Sequence, residues 1–109
     1  MKNYVIAALS GAALILSGQV MAADIEAGKT KAAEVCASCH GIDGNSPAPA
    51  FPKIGGQYRT YLEKVLKDYK SGTRNDPIMA GMAAGLTPAD IDNLALYYSS
   101  QPGTLNYKK

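Results

Sequence analysis

The sequence predicts an all-α protein on three observations. Apolar residues recur at helical spacing in two stretches, no alternating apolar run is long enough for a convincing strand, and capping or breaking residues stand where helices of that length would begin and end. With 109 residues the chain has room for one domain, which excludes multidomain enzymes and large α/β barrels. Hydrophobic residues at 47% and charged residues at 18% are ordinary for a packed domain and argue against disorder. Eleven basic and nine acidic residues leave a formal charge of +2, too balanced to announce a nucleic-acid partner.

The first segment reads as an address. Met1-Lys2-Asn3 is a short positive start, residues 4–16 are apolar apart from Ser10 and Gly11, and Ser17-Gly18-Gln19 is a polar break. Val20-Met21-Ala22 places small or modest side chains at the positions a signal peptidase inspects, so residues 1–22 are expected to be a cleaved signal peptide, with Ala23 as the near alternative for the cut. An apolar run of thirteen residues falls short of the roughly 20 needed to span a bilayer, so no stable membrane insertion is expected after cleavage. Residues 23–109 would then be the mature domain, delivered to an oxidising compartment, for which the bacterial periplasm is the natural reading.

Within that domain, residues 24–35 are rich in Ala, Glu and Lys, with Asp24 and Glu26 at the end where the helix dipole favours acids; this is the first helix. Residues 41–56 hold four glycines and three prolines and predict a long loop, which in a small domain usually wraps something. Tyr58, Tyr61, Leu62, Val65, Leu66 and Tyr69 repeat with an amphipathic helical period, closed by Ser71-Gly72. Asn75-Asp76-Pro77 predicts a turn, and Thr87-Pro88 with Asp90 provides an N-cap, a first-position proline and an acid for a last helix. Ile91, Leu94, Ala95 and Tyr98 line one side of that helix, and Gln101-Pro102-Gly103 ends it.

The scarce ligand residues are neighbours: Cys36-Ala37-Ser38-Cys39-His40 contains both cysteines and the one histidine. C-x-x-C-H is the attachment signal for haem c. Two thiols three residues apart share one face of a helical turn and can add to the two vinyl groups of a porphyrin, after which the next residue presents an imidazole to the iron. A redox-active disulfide would normally come with a βαβ unit, and a zinc site would need ligands beyond these three, for which only carboxylates are left. Haem also answers a size problem, because a mature chain with one Phe and no Trp makes a thin core that a buried porphyrin would complete. The chain is therefore expected to stay largely unfolded until haem is attached. A fast electron carrier needs a sixth iron ligand; with Met1 and Met21 lost in the signal, Met79 and Met82 are the candidates, and their spacing of three does not separate them.

Gly28 eight residues before Cys36, the Cys36-x-x-Cys39-His40-Gly41 run, the Pro49-Ala50-Phe51-Pro52-x-Ile54 loop, Met79 and the Leu/Tyr-rich last helix together resemble the small bacterial class I c-type cytochromes, of the c-553 type or like one half of a diheme periplasmic cytochrome. The resemblance covers the whole mature chain. It implies the class I cytochrome c fold, three to four short helices wrapped around one covalently bound haem. Cys36 and Cys39 would carry the thioether bonds, His40 the proximal position and Met79 the distal one. It also implies that the first and last helices cross at Gly28, with Ala32 where many relatives have an aromatic residue, and that the Pro49 carbonyl accepts the second ring proton of His40, with Pro47 and Pro52 close by.

The implied function is one-electron transfer between larger redox proteins through an exposed haem edge. Alternatives are a haem-bearing subunit of a dehydrogenase or oxidase, and a haem sensor or enzyme with an open sixth site. No nucleophile with a base, and no acid–base pair free of the iron, is evident, so no catalysis is expected. Residues 51–74 carry six basic and two acidic side chains between acidic flanks, a polarity suited to transient docking on an acidic partner or merely to keeping a helix face wet. Tyr58, Tyr61 and Tyr69 are expected in the core, although a tyrosine hydroxyl or Gln57 is also placed to bond a haem propionate.

Overall fold

The computed structural model describes residues 2–3, 11 and 22–105. The expected signal peptide, residues 1–22, falls almost wholly outside the described residues, and among those described no helix is long and apolar enough to cross a membrane. Four helical runs make up the domain and no strand occurs among the described residues.

The first run extends from Ile25 to His40, beyond the expected end near residue 35, and is not uniform. Asp24 caps α1 (Ile25–Lys31), accepting from the Glu26 and Ala27 amides. A π-helical turn (Ala32–Cys36) comes next, in which the Ala37 amide reaches back to the Ala32 carbonyl, and α2 (Ala37–His40) completes the run. One extra residue in a helical turn rotates the remainder of the helix by about 100° relative to an unbroken α-helix. The face of α1 that packs on the last helix therefore gives way, at the cysteines, to a face that borders a cleft.

The frame is the crossing of α1 with α5 (Pro88–Ser99). A Cβ on Gly28 would lie 2.1 Å from the Asn93 carbonyl oxygen and 2.8 Å from the Tyr97 Cβ, so the backbones meet where no side chain fits. Ala32 is wholly buried one turn on, and the Asp24 amide donates to Asn93 Oδ1 at 2.8 Å. Gly28→Ala is accordingly expected to lower the unfolding free energy of the haem-loaded protein by about 3 kcal/mol or more, since the clash is with backbone. An unchanged denaturation midpoint would contradict the crossing. At its start α5 has the expected capping box: Thr87 Oγ1 accepts from the Asp90 amide while the Asp90 carboxylate accepts from the Thr87 amide. Ile91, Leu94, Ala95 and Tyr98 are all buried, as the periodicity predicts, and Tyr97 joins them.

The long loop is where the sequence places it, and it is pinned rather than loose. Gly44, at φ +76°, accepts from the Ile54 and Gly55 amides, and a side chain there would strike the Gly55 backbone and the Tyr98 ring. Tyr97 Oη donates to the Ile42 carbonyl at 2.5 Å and Tyr98 Oη to the Gly41 carbonyl at 3.2 Å, while the Gly56 amide donates to the Tyr98 carbonyl. One end of α5 thus holds both the exit of the cysteine segment and the far side of the loop.

Two departures from expectation concern the remaining helices. The turn predicted at residues 75–77 opens a helix, α4 (Pro77–Ala83), capped by Asp76, whose Oδ1 accepts from the Ile78 and Met79 amides at 3.0 and 2.9 Å. In α3 (Arg59–Ser71), capped by Tyr58, the expectation of core tyrosines holds in part: Tyr58 and Tyr61 are exposed, Tyr69 is half-buried and packs against the core, and Leu62 is the one buried side chain. The apolar stripe of α3 is present; part of it packs against the core through Leu62, Leu66 and Tyr69, and it also borders a cleft.

Candidate haem site

The cleft lies between α2, the loop, α3 and α4. Its larger lobe is a cavity of about 240 Å³, walled by the apolar stripe of α3 together with Ile54, Leu94 and Tyr98. A smaller lobe of about 160 Å³ reaches Cys39, Phe51, Ile78 and Met82. Cys36, His40, Pro52, Tyr69 and Met79 border both lobes. The four residues expected at the site, Cys36, Cys39, His40 and Met79, are brought to this one cleft from two separate helices.

His40 is buried and its ring is fixed. Nδ1 lies 2.8 Å from the Pro52 carbonyl oxygen, which can only accept, so Nδ1 is the donor and Nε2 is the ring nitrogen left for another partner. The expectation that Pro49 would supply this carbonyl is corrected: Pro52, the neighbour held in reserve, supplies it, because the Gly44 carbonyl accepts from the Ile54 and Gly55 amides and so draws the segment just after Pro52 back across the loop. Such a bond orients the imidazole and raises its basicity toward a metal.

Both cysteines are free thiols and half-buried. Burial pushes the unreacted Cys36 thiol up to about 11, against a smaller opposing effect of the Tyr98 hydroxyl, so it is protonated at neutral pH. That state is poor for metal binding as a thiolate, and among the described residues no three His, Cys, Asp or Glu side chains gather as a metal site.

Met79 and Met82 are separated here. Met79 is half-buried and borders both lobes, whereas Met82 touches the smaller lobe alone and is 45% exposed. Met79 lies on α4 rather than in a loop, and the Asp76 cap bonds its own amide. Other residues of the site were not singled out from sequence. Arg74 stands on the cleft wall with its guanidinium 5.2 Å from the Tyr69 ring centroid, and Val65 lines the cleft together with Leu62 and Leu66, which also pack in or against the core. The under-filled face of α3 had a legible sign, a strong helical stripe in a chain with too few aromatic residues to cover it; Arg74 had none beyond its charge.

A covalently tethered, apolar and planar group fits this arrangement. The cleft is apolar where a ring would lie, and two unpaired thiols stand at its edge. An imidazole lone pair and a thioether are available from different helices. These are the features of a haem-bearing electron-transfer domain. The comparison with known proteins agrees: a family model described as cytochrome c matches residues 25–101, and the chain belongs to the cytochrome c family. It is 46% identical over 95 residues to cytochrome c4 of Stutzerimonas stutzeri, an alignment covering 79% of this chain and 45% of that protein. It is likewise 46% identical over 83 residues to cytochrome c-554(548) of Halomonas halodenitrificans, covering 73% of this chain and 99% of the relative. The crystal structure of reduced recombinant cytochrome c4 from Pseudomonas stutzeri superposes with a TM-score of 0.70 at 47% identity, covering 76% of this chain and 48% of that one. The chain thus spans less than half the length of the cytochrome c4 it resembles, and nearly all of cytochrome c-554(548). The all-α class I fold and haem c as cofactor follow from this membership.

Proposed function

We propose that the chain is an exported one-electron carrier, cut after Ala22 and working as residues 23–109 in the periplasm. Cys36 and Cys39 hold haem c through thioether bonds, His40 is the proximal iron ligand and Met79 the distal one. The observation that carries this reading is the convergence of all four side chains on one apolar cleft, with the His40 ring held through Nδ1 by the Pro52 carbonyl. Bound there, haem iron supplies reversible exchange of one electron between its ferrous and ferric states. The chain's part is to set the terms of that exchange. The soft Met79 sulfur and the dry wall of Leu62, Leu66 and Leu94 favour the less charged ferrous state and raise the potential, while the fixed His40 ring limits reorganisation. Among the described residues, Asp76 is the one carboxylate on the cleft wall and its Oδ1 is engaged capping α4, while His40 is the proximal ligand. This supports a carrier rather than an enzyme. The reduced protein is expected to be low-spin and inert to carbon monoxide; rapid carbon monoxide binding would sink the carrier in favour of a sensor or enzyme with an open sixth site.

Docking would use the rim of the cleft, where Ile78 and Met82 are exposed beside Cys39, with larger redox proteins as donor and acceptor. The basic stretch contributes less than its composition implies. Arg59 pairs with Glu63, Lys64 with Asp68, and Lys70 donates to the Leu86 carbonyl, so half of its cations are engaged locally. The rate of reduction by an acidic partner is expected to fall modestly as salt rises from about 0.01 to 0.15 M, and a rate independent of ionic strength would contradict charge-guided docking. A second reading, a haem subunit held within a larger assembly, draws on a relative 40% identical over 65 residues, the cytochrome subunit of sulfide dehydrogenase of Chlorobaculum tepidum. Co-purification with a partner at high salt would favour it.

A further inference from the structure

Helix α4 carries Met79 on a short and weakly wound segment. It has seven residues, too few for a helix to persist without outside support. Gly81 sits within it, although a Cβ there would meet nothing within 4 Å, so packing does not ask for the glycine and its backbone freedom favours unwinding. The two ends of α4 are held differently. The later end is anchored in the core, where Ala83 is wholly buried and Leu86, just beyond it, is buried with its carbonyl accepting from Lys70. The earlier end is open to solvent: Pro77 and Ile78 are exposed and Met79 is half-buried. Asp76 holds that end. Pro77 brings no N–H, so the first helical amides without an intrahelical partner belong to Ile78 and Met79. Asp76 Oδ1 accepts from both, at 3.0 and 2.9 Å, while the Asp76 carbonyl accepts from the Ala80 amide at 2.8 Å. Met79 therefore lies in the turn of α4 whose helical backbone is tied to a single side chain.

We propose that Asp76 is a positioning residue for the distal iron ligand: its cap keeps the first turn of α4 wound and so sets how readily the Met79 sulfur leaves the iron. This rests on the reading of Met79 as that ligand. With the cap made, the Met79 amide is tied and its side chain is kept at the cleft it borders. With the cap broken, the first turn frays toward solvent and takes Met79 with it, whereas Met82 lies nearer the buried end. Gly81 acts on the same balance in the opposite sense, so Asp76 and Gly81 together fix the fraction of molecules in which the sixth position is open to an external ligand.

The test uses the exported, haem-loaded protein in its ferric state. The sulfur-to-iron charge-transfer band and the apparent affinity for added imidazole are measured for the parent, Asp76→Ala, Asp76→Asn, Gly81→Ala and Asp90→Ala. Apparent affinity scales with the open fraction, so Asp76→Ala is expected to weaken the band and raise imidazole affinity about fivefold, the usual worth of a lost cap. Asp76→Asn should restore both readings, because asparagine caps as well as aspartate while lacking its charge. Gly81→Ala should lower imidazole affinity roughly two- to fourfold. Asp90→Ala, which removes half of the capping box of α5, should lower the thermal midpoint and leave the affinity near that of the parent. An unchanged band and affinity in Asp76→Ala would overturn the proposal. So would an equal rise in Asp90→Ala, which would mark a general loss of stability, or an Asp76→Asn that behaves like Asp76→Ala, which would assign the effect to charge. Should Asp76→Ala fail to mature, the same comparison is made in the Gly81→Ala background, where the helix is better wound, and is decided by the same outcomes. Failure of the ligand reading is distinct: the band would then survive in Met79→Leu, whatever the Asp76 variants do.

Discussion

Replacing Cys36 and Cys39 together by alanine is expected to give a colourless, largely unfolded chain. The physical ground is the distribution of apolar surface. Leu94 is the one large side chain that is essentially fully buried among the described residues, and the stripe of Tyr61, Leu62, Val65, Leu66 and Tyr69 borders a cleft as well as packing, through Leu62, Leu66 and Tyr69, on the core. A domain of this size sits near the lower limit of what a core can hold together, and leaving that stripe against water withdraws the largest apolar contribution available. The variant should lose most of its helical circular dichroism and its cooperative thermal transition. Each single cysteine variant, with one thioether left, should retain colour at reduced stability. A double variant with full native helicity and no haem would show that the polypeptide folds by its own core, and the account of α3 would fail.

The second large effect is expected at Met79. Met79→Leu preserves volume and apolarity while removing the sulfur, so the fold should survive. The reduced protein should then bind carbon monoxide readily, the oxidised protein should lose the sulfur-to-iron charge-transfer band, and the potential should fall by on the order of 0.1 V, within the roughly 0.8 V that axial ligands span. Met82→Leu should leave all three measurements near those of the parent, because Met82 is exposed and reaches the smaller lobe alone. Retention of the charge-transfer band in Met79→Leu together with its loss in Met82→Leu would reverse the assignment.

Much of the fold and site was readable from residues. The C-x-x-C-H run, the Gly/Pro-rich loop and the capped last helix are local signals, each resting on chemistry within a few positions, and the structure places them where local chemistry requires. What escaped was of two kinds. Helix α4 was hidden by reading Asp76-Pro77 as a turn, although the same cap-then-proline logic that opens α5 at Thr87-Pro88 applies to it; seven residues with Gly81 inside offer too little periodicity to compete. The others depend on distant contacts. That Pro52 rather than Pro49 meets His40 is settled by how Gly44 and Tyr98 tether the loop. That Tyr61 is exposed and Tyr69 only half-buried follows from the cleft that this face of α3 borders. Periodicity reports that a face is apolar and is silent about what will cover it.

The most direct measurement is the intact mass and visible spectrum of the exported, purified chain. The account predicts a polypeptide beginning at Ala23, heavier by one haem that survives denaturation, with a Soret band whose reduced form is low-spin. A mass equal to that of the amino acids alone, with no Soret absorption, would contradict it.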